Sequence, residues 1–342
     1  MRQKERLIHD CDPGQDDAIA LMLNLASPRF EMAGVTVVGG NVKVEKCAAN
    51  ARKILGLCGY SDVPVYKGAE KPLKRNLVTL EDVFGVSGMA GGDDLPDPGP
   101  QDQNRGAVDY LIDTLSDASR PIFICATAPL TNIALALQRE PSIARSIKKL
   151  VIMGGCVFPE PLHGKMGNFD IQGTQGGKAE YNFAMDPEAA NIVFSSAIRR
   201  ISLVGLNVTQ KILFNSKWKK ALYDLTNPVA RKAADILSAI GPEDVAYYAD
   251  LRQSPDDPVR AVHDAVAAVY LDKPEIFDVK NTPLKIVTDQ PPAIAGQSLP
   301  AETGNPVEVA IDCDVDEVFS EIVTRLSAYS VLNRPATSRI SL

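Results

Sequence analysis

The chain has 342 residues, 45% of them hydrophobic and 23% charged, an ordinary composition for a globular protein with a sizeable core. Its 36 basic and 43 acidic side chains leave a net charge of −7, and no Lys/Arg cluster stands out along the chain, which argues against a broad nucleic-acid or membrane surface. No stretch approaches 18 apolar residues and MRQKERLIHD lacks a signal peptide's apolar run, so a cytoplasmic protein without a membrane span is expected. In chain order, Leu7 and Ile8 open a short strand over 6–10. Pro13-Gly14 then forces a turn, and AIALMLNLA (18–26) continues at helical spacing. Further strands are predicted at 31–38, 64–68, 121–126, 149–154 and 201–206, with helices at 44–57, 107–117 and 129–140. Residues 216–271 are richer in helix, 276–313 read as peripheral strands, and 315–327 as a final helix. Continuous apolar strands alternating with helices predict a Rossmann-like open α/β fold, a mainly parallel sheet covered on both faces. No linker interrupts the alternation, so one domain over 1–342 is expected.

Two segments break the pattern, 85–105 and 155–180, both rich in Gly or loop-forming residues. Long loops in a compact domain are commonly functional, and open parallel sheets bind ligands beyond the carboxyl ends of their strands. The six cysteines (Cys11, Cys47, Cys58, Cys125, Cys156, Cys313) show no CxxC spacing and mostly adjoin apolar residues, which predicts reduced, buried thiols. Three histidines (His9, His163, His263) give no basis for a His-rich zinc site.

The most informative segment is HDCDPGQDDA (9–18), where Asp10, Asp12, Asp16 and Asp17 bracket Pro13-Gly14 at a strand-to-helix junction. Carboxylates this dense repel one another unless a cation sits among them, and hard divalent cations take oxygen ligands. A solvated acidic helix cap is the simpler reading of Asp16-Asp17 alone. An EF-hand loop is excluded, because Gln15 and Leu21 stand where its Gly and Glu belong. Asp10-Cys11-Asp12 fits the DxD of an aspartate-nucleophile phosphatase, but no phosphate-binding Lys motif accompanies it.

HDCDPGQDDA, TVVGGNV (36–42), ATAPLTNIA (126–134), VIMGG (151–155), AEYNFAMDPEAA (179–190) and VHDAVA (262–267) occur in this order. Together they resemble the calcium-dependent ribonucleoside hydrolase family of the inosine–uridine-preferring type, over about residues 6–330. The resemblance implies hydrolysis of the N-glycosidic bond of ribonucleosides to ribose and free base. It also implies a small-molecule nucleoside partner, purine or pyrimidine, and a homodimer or homotetramer. Carried over by motif, Asp12, Asp17, the Thr127 carbonyl and Asp264 would bind Ca²⁺. Asp12 would be the general base acting on a Ca²⁺-bound water, and His263 the acid that protonates the leaving base. Asp16 would hold the ribose 2′-hydroxyl. Met153, Asn168, Glu180 and Asn182 would complete the substrate-binding set, Asn41 would buttress the site, and Asp10 would support it from behind. Phe84, where many relatives have His before Gly, could stack on a base but cannot transfer a proton. Tyr181, Tyr247, Tyr248 and Trp218 are further aromatic candidates. An inactive nucleoside-binding relative would have lost its base or acid, yet Asp12, Asp17 and His263 are all present.

Overall fold

The structure, a computed structural model, describes residues 3–96, 99, 105–117, 120–158, 179–242, 245, 249–288 and 294–330. β1 (Glu5–Cys11), β2 (Phe30–Val37), β3 (Val65–Lys67), β4 (Ile122–Ala126), β5 (Ile147–Met153) and β6 (Ile201–Val204) lie side by side in the order β3-β2-β1-β4-β5-β6. All five pairings are parallel. The chain therefore runs outward from β1 in one direction to β3, then returns to the other side of β1 with β4. At that reversal the connections leave in opposite directions and open a crevice beyond the carboxyl ends of β1 and β4.

The alternation of side chains explains why the sheet is covered twice. Leu7, Phe123, Cys125, Val151 and Met153 point into one core, whereas Ile8, Ile122, Ile124, Leu150 and Ile152 point into the other. The first core is closed by α1 (Gln15–Ala26), α2 (Val44–Leu57), α10 (Pro228–Ser238), α11 (His263–Asp272) and α12 (Val315–Ser327). The second is closed by α4 (Ala107–Ser116), α5 (Thr131–Arg139) and α7 (Pro187–Phe194). Every residue of α1 from Gln15 to Leu25 is buried, because this helix lies between the sheet and the outer helices.

Two expectations are corrected. The strand predicted to 206 stops at Val204, because Gly205 begins the short helix α8 (Leu206–Thr209). The strands expected to be peripheral include an interior one: β11 (Pro306–Cys313) pairs in parallel with β6 on one side and antiparallel with β9 (Phe277–Ile286) on the other. Its Val307, Val309 and Ala310 are buried on both faces, whereas β10 (Ser298–Pro300) forms the edge. Residues 216–271 are largely helical as expected, and a small antiparallel ribbon, β7 (Leu213–Phe214) with β8 (Arg260–Ala261), leads into α11. Of the six cysteines five are buried and Cys313 is half-buried, all as free thiols. No helix among the described residues is long and apolar enough to cross a membrane.

Candidate active site

β1 delivers Asp10 and Asp12 to the crevice, and the Pro13-Gly14 turn starts α1 immediately afterwards. Asp17, in the first turn of α1, folds back so that its Oδ2 accepts from the Gly14 N–H (3.2 Å) and its Oδ1 from the Asp12 N–H (3.4 Å). The carboxylate thus caps its own helix, at the end where the dipole favours negative charge. The loop after β2 crosses the same turn. The Asn41 N–H donates to Asp12 Oδ2 (2.7 Å), and its side-chain amide donates to the Asp12 carbonyl (3.1 Å) and to Asp17 Oδ2 (3.1 Å). Only glycine permits this approach at position 40, since a Cβ there would overlap Asp12 Oδ2.

Asp10 stands behind this pair, fully buried. Its Oδ1 accepts from Thr36 Oγ1 (2.6 Å) and Asn132 Nδ2 (2.9 Å), while Oδ2 has no partner. Thr127, just past β4, donates its hydroxyl to Asp17 Oδ1 (2.7 Å). Having spent its proton there, Thr127 Oγ1 can only accept from His9 Nε2 (3.2 Å), which leaves His9 Nδ1 to accept from Asn24 Nδ2 (3.3 Å). Burial pushes His9 down to about 3, so this ring is neutral and its tautomer is set by the chain of partners.

Asp264 arrives from the first turn of α11, so the N-termini of two helices, α1 and α11, face one point. Asp16, Asp17 and Asp264, all buried, each bring a carboxylate oxygen there, and the three oxygens lie within 4.8 Å of one another. Asp12 flanks the cluster with its buried Oδ1 unpartnered. Burial first, and then mutual repulsion, hold Asp12 and Asp264 well above the usual carboxylate range and push Asp17 up to about 7. Among the described residues no ion pair neutralises any of these groups. Oxygen donors crowded without a counter-charge fit a hard divalent cation, and among the described residues the cluster offers carboxylate oxygens alone.

The sugar side of the crevice is completed from β5 and α6 (Tyr181–Met185). Asn182 Nδ2 donates to the Thr127 carbonyl (3.1 Å) and lies 3.3 Å from the Met153 carbonyl, locking α6 to the ends of β4 and β5. Glu180 caps α6, accepting from the N–H groups of Asn182 (2.8 Å), Phe183 (3.1 Å) and Gly155 (2.9 Å). Despite those three donors, burial pushes its carboxyl up to about 7.

His263 is the first residue of α11 and half-buried, with Nδ1 2.7 Å from Thr209 Oγ1 at the end of α8. Phe84 ends α3 (Glu81–Phe84), and the Arg260 guanidinium lies 5.9 Å from its ring centre. Buried Arg260 donates to Gln15 Oε1 (2.5 Å), and Gln15 Nε2 in turn donates to the carbonyls of Ala90, Ile236 and Ala239. This staple ties the first turn of α1 to the loop after Phe84 and the end of α10.

Among the described residues, those named from the motifs converge from β1, β4, β5, α1, α6, α11 and the loop after β2. The tight carboxylate trio contains Asp16, and Asp12 sits beside it. Asn41 is fully engaged in holding Asp12 and Asp17. Trp218, on α9 (Ser216–Asp224), stacks on Phe319 of α12 (3.7 Å between centroids) and belongs to helix packing. Tyr181 is buried, with its hydroxyl on the Val78 carbonyl (2.9 Å). Asn168, Tyr247 and Tyr248 lie outside the described residues. Sequence reasoning missed Thr36 and Asn132, although both fall inside the quoted motifs. His9 and Gln15 were missed inside a quoted motif as well, whereas Thr209 and Arg260 lie outside all of them and their partners are distant in the chain.

Residues 7–320 match the family model described as inosine-uridine preferring nucleoside hydrolase. The pyrimidine-specific ribonucleoside hydrolase RihA of Salmonella paratyphi A is 37% identical over 271 residues, 79% of this chain and 80% of the relative. Among solved structures, a purine-preferring ribonucleoside hydrolase from Gardnerella vaginalis superposes with a TM-score of 0.82 at 28% identity, covering 95% of this chain and 99% of that one. The plant nucleoside hydrolase PpNRh1 gives 0.79 at 26% identity, covering 95% and 100%. A crevice at the strand reversal, lined by buried carboxylates, and a match over nearly the whole length agree: the chain belongs to the inosine-uridine preferring nucleoside hydrolase family and is a ribonucleoside hydrolase, an N-glycosidase.

Proposed function

We propose that this enzyme holds Ca²⁺ among Asp12, Asp17, the Thr127 carbonyl and Asp264, with Asp12 as general base and His263 as general acid. The observation that carries this reading is the unpartnered, buried Oδ1 of Asp12 beside the Asp16–Asp17–Asp264 trio. When bound, the ion supplies charge compensation, orients the ribose diol and makes water more acidic. Asp12 Oδ2 is held by the Asn41 N–H, which leaves Oδ1 free to take a proton from the attacking water. Cleavage of the C–N bond builds positive charge at the anomeric carbon, and the surrounding Asp12, Asp16 and Glu180 carboxylates stabilise it. Glu180 and Asp16 accept from ribose hydroxyls, and Asn182 braces the floor between β4 and β5.

The departing base is a poor leaving group as an anion and must gain a proton. His263, at the first position of α11 with Nδ1 on Thr209 Oγ1 and next to Asp264, is the group we assign to give that proton. Phe84 forms a platform for the base. Pyrimidine ribonucleosides are the favoured substrates, because the relatives at 36–37% identity carry that specificity in their names. The purine-preferring neighbour is more distant, at 28%. The test is kcat/KM for uridine, cytidine, inosine and adenosine after chelation and after return of Ca²⁺, Mg²⁺ or Zn²⁺. Activity should return best with Ca²⁺ and be highest on the pyrimidines. Full activity in a metal-free preparation would overturn the metal assignment, and a purine preference would overturn the substrate assignment.

A further inference from the structure

At the opposite, amino-terminal edge of the sheet, five cations far apart in sequence come together. Lys4 and Arg6 lie at the start of β1, Arg29 precedes β2, Arg120 precedes β4, and Lys148 is on β5. They line a cleft of about 650 Å³ in which Glu5 is the one carboxylate, so a local charge of +4 stands on a chain of net −7. From this cleft we infer a second ligand site, for a small polyanion carrying two or more phosphate groups.

Three of the cations are held in place. Glu5 bonds both Arg29 (3.4 Å) and Lys148. Arg29 also donates to the Leu271 carbonyl (3.2 Å) and lies over the Phe30 and Phe123 rings, while Lys148 lies over Phe123. Lys4 Nζ donates to the Ser27 carbonyl (3.1 Å). These contacts anchor the side chains near the cleft wall, which lowers the entropy lost when an anion is bound. Arg6 and Arg120 differ. Among the described residues neither guanidinium has a hydrogen bond or close ion pair, although Glu31 stands opposite Arg6 in the β1–β2 register. Guanidinium forks match phosphate oxygens, often in pairs. One phosphate dianion would leave half of the +4 unmatched, and a volume of this size accepts a larger, nucleotide-sized ligand. The cleft is confined to one edge, unlike the long basic stripe that a nucleic acid needs. It stands about a strand length, roughly 20 Å, from the carboxylates at the other end of β1, so it is distinct from the hydrolytic site.

The experiment is calorimetric titration of the intact enzyme, in excess Ca²⁺, with inorganic tripolyphosphate and ATP, and with adenosine as the uncharged control. The comparison protein is Arg6→Gln/Arg120→Gln, since chelation of the ion and binding at the hydrolytic site are common to both proteins. Both polyphosphates should bind saturably, the double substitution should weaken them at least about tenfold, and affinity should fall with added salt. Arg120→Gln alone, at an exposed position, should show a smaller loss. Equal affinity in the two proteins, or no saturable binding, would overturn the site. So would a change in assembly mass caused by the substitutions without ligand, because the face would then join copies of this chain. Uridine hydrolysis without ligand should be the same in both proteins, and its level has no bearing on these outcomes.

Discussion

Asp12 and Thr127 sit where strands end and Asp17 in the first turn of α1, and each is fixed by partners from at least two other elements. Phe84 and Arg260 sit on a four-residue helix and a two-residue ribbon and are tied to α1 through Gln15, whereas His263 opens α11 with its ring on Thr209 of α8. The two halves of the site differ in what specifies them. The ribose–cation half is anchored to β1, β4 and β5, whose register is set by two hydrophobic cores. The base half is built from connections between elements, which sequence can vary without disturbing the sheet. On the proposed assignment, the sugar side of the site rests on the sheet and the base side on these connections.

The largest expected effect falls on the sugar side. A 2′-deoxynucleoside leaves the Asp16 carboxylate and the cation site without their partner, and unpaired buried polar groups are costly. kcat/KM for 2′-deoxyuridine should be about 10⁴-fold below uridine, the usual rejection by a site built to bond a hydroxyl. Comparable efficiency would break the distinction between a strict sugar half and a lenient base half. Next, Asp12→Asn preserves shape and the Asn41 contact but cannot accept a proton, so kcat should fall about 10²-fold or more with KM little changed. Wild-type kcat in this variant would remove Asp12 from the chemistry.

The base half predicts a dependence on substrate. His263→Ala should lower kcat on uridine by about 10²-fold or more, yet barely affect a nitrophenyl riboside, whose leaving group needs no proton. Equal losses on both would make His263 a structural residue capped by Thr209. Phe84→Ala should act more weakly still, raising KM several-fold by about 1 kcal/mol of lost stacking while sparing kcat. A kcat effect larger than the KM effect would show that Phe84 shapes the reacting centre.

The same division decides what could be read from the chain. β1 through β6 and α2 were legible because apolar runs and helical spacing record the two cores directly, and the predicted helix at 44–57 coincides with α2. The acidic motif was legible because four aspartates around Pro-Gly have no other economical explanation. Which aspartates form the trio was not, because that depends on α11 bringing Asp264 toward the first turn of α1. β11 looked peripheral since its pairing with β6 joins residues about a hundred positions apart. The basic cleft was invisible for the same reason: no single segment contributes more than two of its five cations.

The smallest effect ties the cation to pH through stability. Asp10, Asp17 and Glu180 have folded-state values raised to about 6, 7 and 7. A raised carboxyl favours the fold when protonated, so its contribution is present below about pH 4 and is lost as pH climbs through 6 to 7. His9 works in the opposite sense. Its value is depressed to about 3, so its contribution is complete above about 6.5 and is lost as pH falls. Between pH 6.5 and 8 His9 is therefore silent while Asp17 and Glu180 still titrate. Over that window the cation-free enzyme should lose Tm, whereas the Ca²⁺-loaded enzyme should not, because ligation requires the ionised form and releases protons. The Ca²⁺-induced rise in Tm should accordingly be several degrees larger at pH 8 than at pH 6. A rise that is flat with pH would mean the carboxylates are already ionised without the ion. In that case the crowding of Asp16, Asp17 and Asp264 would not be what makes the cation necessary.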